Sequence, residues 1–207
     1  DPTEIVLDNQ GNATINKPAA PAAIDFRQIK TIHGGNTWET HIPWYSGYNI
    51  AVFKNNQNIN IALDANATNI KNIVAAEDGL LNNSQVSGGS NTVSHYHYGT
   101  GKWKTNTFWA WNFVSVRYNN RTYVISLSKN TNQDGITVLS ETENKRTSSQ
   151  GQISYDMKPE NHLAFSPVGF LMHSAQYGEN VFVALDGYQN KFEVYKINMI
   201  NFTIQRV

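Results

Sequence analysis

The chain has no cysteine, so neither a disulfide framework nor a thiol nucleophile is available to it. It is also poor in charge. Only 15% of its 207 residues are Asp, Glu, Lys or Arg, against about a quarter in ordinary soluble chains. The formal net charge is zero and no Lys/Arg cluster stands out, which argues against a nucleic-acid partner. No apolar run reaches the length of a membrane span. Local catalytic signatures are missing too: there is no G-x-S-x-G, no H-E-x-x-H and no phosphate-binding glycine loop.

What remains is an amide-rich, aromatic-rich chain. Stretches such as NNQNIN and KNTNQDG supply the polar surface, and aromatics make up 12%. This balance fits a secreted, periplasmic or cell-surface protein. No signal peptide opens the sequence, which is read as a processed or engineered start. Asn12, Asn66, Asn82, Asn120 and Asn201 head N-x-S/T triplets, which an Asn-rich chain also produces by chance.

Residues 1–25 form an expected extended arm. NKPAAPAA at Asn16–Ala23 carries two prolines among small residues, and proline favours extended backbone. From 26 to 207 a single all-β domain is expected, with 24–37 as a lead-in. YNIAVFK-NNQN-INIALD, NFVSVRY-NNR-TYVISLS and GFLMHS-AQYGE-NVFVALD each read as two alternating strands around a turn. IKNIVAAE, TVSHYHYG, GITVLSE, QISYDMK, KFEVYKIN and FTIQRV read as further strands. Ile70, Ile73, Val74 and Ala76 also allow a helical reading of the first of these.

These strands suggest copies. WETHIPW and WKTNTFW share W-x-T-x-x-x-W, and Trp38/Trp103, Thr40/Thr105 and Trp44/Trp109 are each 65 residues apart. Asn55-Asn56 matches Asn119-Asn120 at a shift of 64, and Ala62-Leu63-Asp64 matches Ala184-Leu185-Asp186 at a shift of 122. The resulting expectation is three repeats of about four strands, roughly 38–98, 103–158 and 162–207. They would be arranged with pseudo-threefold symmetry in a β-trefoil-like or β-prism-like architecture. Propeller-like blades are the alternative.

The expected function is a non-catalytic binding module, with carbohydrate the favoured ligand. Trp44, Trp109 and Trp111 could offer flat indole faces to sugar rings, and Asp64 and Asp186 could bind hydroxyls. Each also has a plainer role: tryptophan in a core, aspartate closing a turn. The alternative is a protein-interaction role (adaptor, inhibitor or secretion chaperone) gripping a partner through the arm and the β surface. The partner is thus a glycan or a protein. Glu39, Asp64, Glu77, Asp186 and Glu193 are the carboxylates from which a glycosidase pair would be drawn, and nothing selects two of them. His95 and His97 share one strand face and are the metal candidates, with His33, His41, His162 and His173 as distant third ligands. No third ligand lies near them in sequence, so no metal and no cofactor is expected.

Overall fold

The computed structural model describes residues 4–7, 13–16, 26–43, 51–59, 67–76, 78–86, 91–106, 110–129, 133–147, 151, 153–169, 171–187 and 191–207. Among these the chain is all-β. Strands β1 (Glu4–Leu7) and β2 (Ala13–Asn16) pair antiparallel, within the region expected to be an extended arm. The proline-bearing stretch that follows lies outside the described residues.

The remaining strands fall into four consecutive antiparallel runs. The first is β3 (Phe26–His33), β4 (Asn36–Pro43), β5 (Ala51–Lys54) and β6 (Gln57–Asn58). The second is β7 (Ala67–Ala75), β8 (Gly79–Val86), β9 (Asn91–His97) and β10 (Trp103–Asn106). The third is β11 (Asn112–Tyr118), β12 (Arg121–Ser128), β13 (Gly135–Thr147) and β14 (Ile153–Ala164). The fourth is β15 (Leu171–Tyr177), β16 (Asn180–Asp186), β17 (Phe192–Asn198) and β18 (Ile204–Arg206).

The second and third predicted hairpins are present; at the first, β5 turns through Asn55-Asn56 into β6, and residues 60–64 of its expected second strand lie outside the described residues. Asn55 and Asn56 both adopt positive φ, as do Asn119 and Asn120. Two consecutive left-handed residues make the two-residue turn whose twist matches antiparallel strands, and Asn tolerates that conformation better than most residues. Residues 67–75 are strand, which decides against the helical reading.

Three apolar layers hold the runs together. Trp38 and Val52 of the first run meet Ile73, Leu80, Tyr96 and Trp103 of the second. Leu81 and Val93 of the second meet Phe113, Val124, Leu139 and Met157 of the third. Ile125, Leu127, Ile136 and Val138 of the third meet Val183, Leu185, Tyr195 and Ile197 of the fourth. Strand alternation does this: each middle run sends odd and even residues to different layers. The first strands stand in series, β3 against β7, β7 against β11 and β11 against β15. At the far edge β10 pairs parallel with β14 through Lys104↔Tyr155 and Thr105↔Asp156. The second and third runs thereby form one eight-stranded sheet, folded over into a nearly closed, barrel-like shape.

The repeat boundaries expected from the sequence do not coincide with these runs. The unit 38–98 begins at the second strand of the first run and ends in the second run. The Asn-Asn turns occupy different places: one joins the last two strands of the first run, the other the first two strands of the third. Their likeness is therefore hairpin chemistry. The tryptophan boxes are not equivalent either. Trp38 lies in β4 and Trp103 in β10, and they share one core layer from opposite sides. The expected lead-in, 24–37, contains a paired strand, β3. Asp64 lies outside the described residues, so its match to Asp186 has no structural counterpart here.

Candidate functional site

The second and third runs enclose apolar side chains along most of their shared interior and charged ones at one end. On β9, Val93, His95 and His97 point to that interior, while Ser94 and Tyr96 point to the other face. Val93 belongs to the apolar layer, and the two histidines continue the same line towards the end. The placement of His95 and His97 on one strand face thus follows the sequence reading.

Asp78 comes from the tight connection between β7 and β8. Two backbone bonds fix it: the Ala76 N–H donates to the Gly79 carbonyl, and the Tyr98 N–H donates to the Asp78 carbonyl, both at 2.9 Å. Gly79 is required here by close approach. A Cβ at this position would collide with the Tyr96 carbonyl and lie 2.9 Å from His95 Nε2. Glu141 arrives from the opposite wall, on β13. The ladder between β13 and β14 is interrupted between Glu141 and Lys145. This irregularity ends the regular pairing beside the site, as bulges near functional positions do.

The four side chains interlock. His95 Nδ1 lies 2.6 Å from Glu141 Oε1, and His97 Nε2 lies 2.6 Å from Glu141 Oε2. Glu141 therefore grips one nitrogen of each ring. The other nitrogens face Asp78: His95 Nε2 is 3.2 Å from Oδ1 and His97 Nδ1 is 3.5 Å from Oδ2. Thr122 Oγ1 donates to Asp78 Oδ2 at 3.0 Å. The two imidazoles lie 4.0 Å apart, centre to centre. His95 is fully buried, and its Nε2 makes no hydrogen bond.

Electrostatics follow from this packing. Burial would push the Asp78 and Glu141 carboxyls up, but the two histidines outweigh it and hold both below the usual carboxylate range. For His97, burial pulls the imidazolium down, and its bonds to Asp78 and Glu141 reverse this and raise it to about 9.

The cluster forms the floor of a cleft of about 570 Å³. Its walls are polar: Lys102, Arg117, Asn120 and Arg121 supply donors, and Thr100, Thr142 and Glu143 supply acceptors. Lys104 is buried beside the histidines, where Nζ donates to the Thr142 carbonyl and to Glu143 Oε1, both at 2.6 Å. Lys102 and Lys104 both sit over the Tyr155 ring, at 4.6 and 4.8 Å. His33, from the first run, completes the rim.

The sequence-predicted sugar residues are not assembled here. Trp44, Trp109 and Asp64 lie outside the described residues. Trp111 is exposed just before β11, with Nε1 donating to the Lys129 carbonyl, and does not line the cleft. Asp186 ends β16 on the outer face of the fourth run, paired with Leu171 and Phe192. The candidate carboxylates are dispersed. Glu39 pairs with His41, Glu193 with Tyr195 and Arg206, and Glu77 lies outside the described residues. Sequence reasoning missed Asp78 and Glu141. The signal for Glu141 was a carboxylate directly following the buried run GITVLS on one strand. Asp78-Gly79 carries no sequence signal beyond that of a turn dipeptide. Asn82, which heads one N-x-S triplet, is buried on β8 and closed to glycosylation in the folded chain.

Three comparisons were made, with protein-family models, with curated proteins and with solved structures, and no match to this chain was found.

Proposed function

We propose that the chain is a non-catalytic binding module of a secreted or cell-envelope protein, and that it takes a hydroxyl-rich saccharide in the cleft above Asp78 and His97. The observation that carries this reading is the lining of the cleft. Small-molecule pockets of this size are ordinarily apolar with a few polar anchors. Here the lining supplies both donors and acceptors with almost no apolar side chain among them. A saccharide presents hydroxyls that donate and accept in every direction, and a volume of about 570 Å³ accommodates more than one sugar ring. The low charge and amide-rich surface support an extracytoplasmic setting. For the finer architecture we read the four runs as blade-like units, supported by the serial contacts of their first strands. The threefold trefoil-like or prism-like arrangement is not required by this reading.

The test is a glycan array screened with the full chain, followed by calorimetric titration of any bound saccharide against Arg117→Ala and Asn120→Ala. Loss of about 1.4 kcal/mol, a tenfold weakening, is expected for each. Absence of any saturable glycan, or affinity indifferent to both substitutions, would defeat the reading.

A second reading, protein association, is favoured by a different surface. The outer face of the fourth run exposes Leu171, Phe192 and Val207 at 57, 71 and 73%. Exposed apolar side chains gathered on one sheet face, here with Leu171 and Phe192 on either side of Asp186, offer an interaction surface. A second copy of the chain is the simplest partner for it. Sedimentation velocity should then show concentration-dependent dimers that Phe192→Glu abolishes. A monomer at every concentration would remove this reading and leave the saccharide reading standing.

A further inference from the structure

We propose that Asp78, His95 and His97 form a binding site for one divalent transition-metal ion of the zinc type, with Glu141 as the outer carboxylate that orients both imidazoles. This rests on the geometry of the cluster and not on the saccharide reading.

Four observations converge. First, each of the three residues offers one ligand atom within 4.8 Å of the others. Tetrahedral zinc, with bonds near 2.0–2.2 Å, separates its ligand atoms by about 3.3 Å. The His95 and His97 ring nitrogens lie 3.2 and 3.5 Å from opposite oxygens of Asp78, close to that separation, and one ion shared by both rings would take one of these two oxygens. Second, His95 Nε2 is buried, and its approach to Asp78 Oδ1 at 3.2 Å lacks the alignment of a hydrogen bond. An unsatisfied buried ring nitrogen is costly, and coordination would satisfy it.

Third, the nitrogens turned away from Asp78 are both held by Glu141 at 2.6 Å. Ligating histidines commonly donate their second N–H to a carboxylate, which fixes the tautomer and raises ligand basicity. Here one glutamate performs that role for two rings, and Thr122 does the equivalent for Asp78. Fourth, ligation requires both imidazoles neutral, and the two carboxylates then leave two negative charges, which one divalent cation balances as it displaces the proton His97 otherwise holds. Two imidazoles and one carboxylate are borderline nitrogen and oxygen donors, which suit Zn²⁺, Co²⁺, Ni²⁺ or Fe²⁺ better than Ca²⁺ or Mg²⁺.

His97, Asp78 and Glu141 line the cleft, whereas His95 lies behind them. A bound ion would therefore be anchored from the interior and keep its outer side towards the cleft, where water or a ligand oxygen can complete its shell.

The experiment uses the full chain, stripped with a chelator and titrated with Co²⁺ alone, without saccharide. One Co²⁺ per chain with a visible d–d band, displaced by Zn²⁺ and not by Ca²⁺ or Mg²⁺, is expected. Glu141→Gln should weaken Co²⁺ by about 10- to 100-fold, and Asp78→Asn and His97→Ala should abolish the band. No band, or stoichiometric binding unaltered in Asp78→Asn and His97→Ala, overturns the proposal. If those variants do not fold, X-ray absorption of the unsubstituted Zn²⁺-loaded chain decides it. Two imidazoles and an oxygen-rich remainder support the site, and scattering without imidazole refutes it. Saccharide titration of the chelator-treated chain is scored separately, so either result can fail alone.

Discussion

Glu141 and His95 are 46 residues apart in the chain and 2.6 Å apart in space, carboxylate to ring Nδ1. The pair bridges the two walls of the folded-over sheet, and the same carboxylate takes His97 with its other oxygen. A buried charge shared in this way stabilises only while all partners are present. In chelator-treated protein, Glu141→Gln should therefore lower the unfolding free energy by about 3–5 kcal/mol, read from urea denaturation at neutral pH. Glu179→Gln, in the exposed turn between β15 and β16, is the control and should leave the urea midpoint nearly unchanged. Equal midpoints for the two variants would contradict the role given to Glu141.

Gly79 is the tightest point beside the site. Substitution by alanine forces β8 away from the Tyr96 carbonyl and crowds His95. A loss of about 1–3 kcal/mol, typical of overpacking, is expected. Calorimetric melting of Gly79→Ala measures it, and an unchanged melting temperature would show that the strands can separate freely.

The tryptophans should divide sharply. Trp38 is buried at 4% exposure, stacked on Tyr98 at 4.2 Å, and shares a layer with Trp103. Truncating Trp38 to alanine should cost about 3–5 kcal/mol through the cavity left behind. Trp111, at 40% exposure, should cost about 1 kcal/mol or less. Chemical denaturation of the two variants side by side gives the comparison, and a reversed ranking would invalidate the assignment of Trp38 to the core.

Alkali should unfold the chain in a defined window. Burial of the Tyr98 hydroxyl pushes its pKa up to about 12, against 10.0 for the free side chain. The unfolded state then loses its proton first. The stabilising contribution is complete below pH 10 and disappears as pH rises through about 12. Stability measured at stepwise pH, with tyrosinate absorbance followed in parallel, should show tyrosine ionising together with unfolding. Full ionisation of a still-folded chain would exclude the buried placement.

At Asn119, φ is +49°, so the backbone lies in the left-handed region. Asn119→Ala should cost about 1–2 kcal/mol, whereas Asn119→Gly should be nearly neutral. Thermal melts of both variants test whether the turn conformation, rather than the amide, sets the preference.

The amino-acid sequence by itself determined the all-β class, the hairpins at Asn55-Asn56 and Asn119-Asn120, and the shared face of His95 and His97. These are local properties: alternation with a period of two, and turns that only a few residue types accept. What surrounds His95 was decided by tertiary structure alone. Asp78 reaches it through a connection pinned by Tyr98, and Glu141 reaches it across the interior from a strand of the next run. The same holds for the tryptophan boxes, whose matching spacing suggested equivalent copies. Strand order instead placed Trp38 and Trp103 in different positions of successive runs and brought them into one layer. Sequence distance carries no record of which sheets will face each other. That choice is made by the burial of apolar faces when the runs stack.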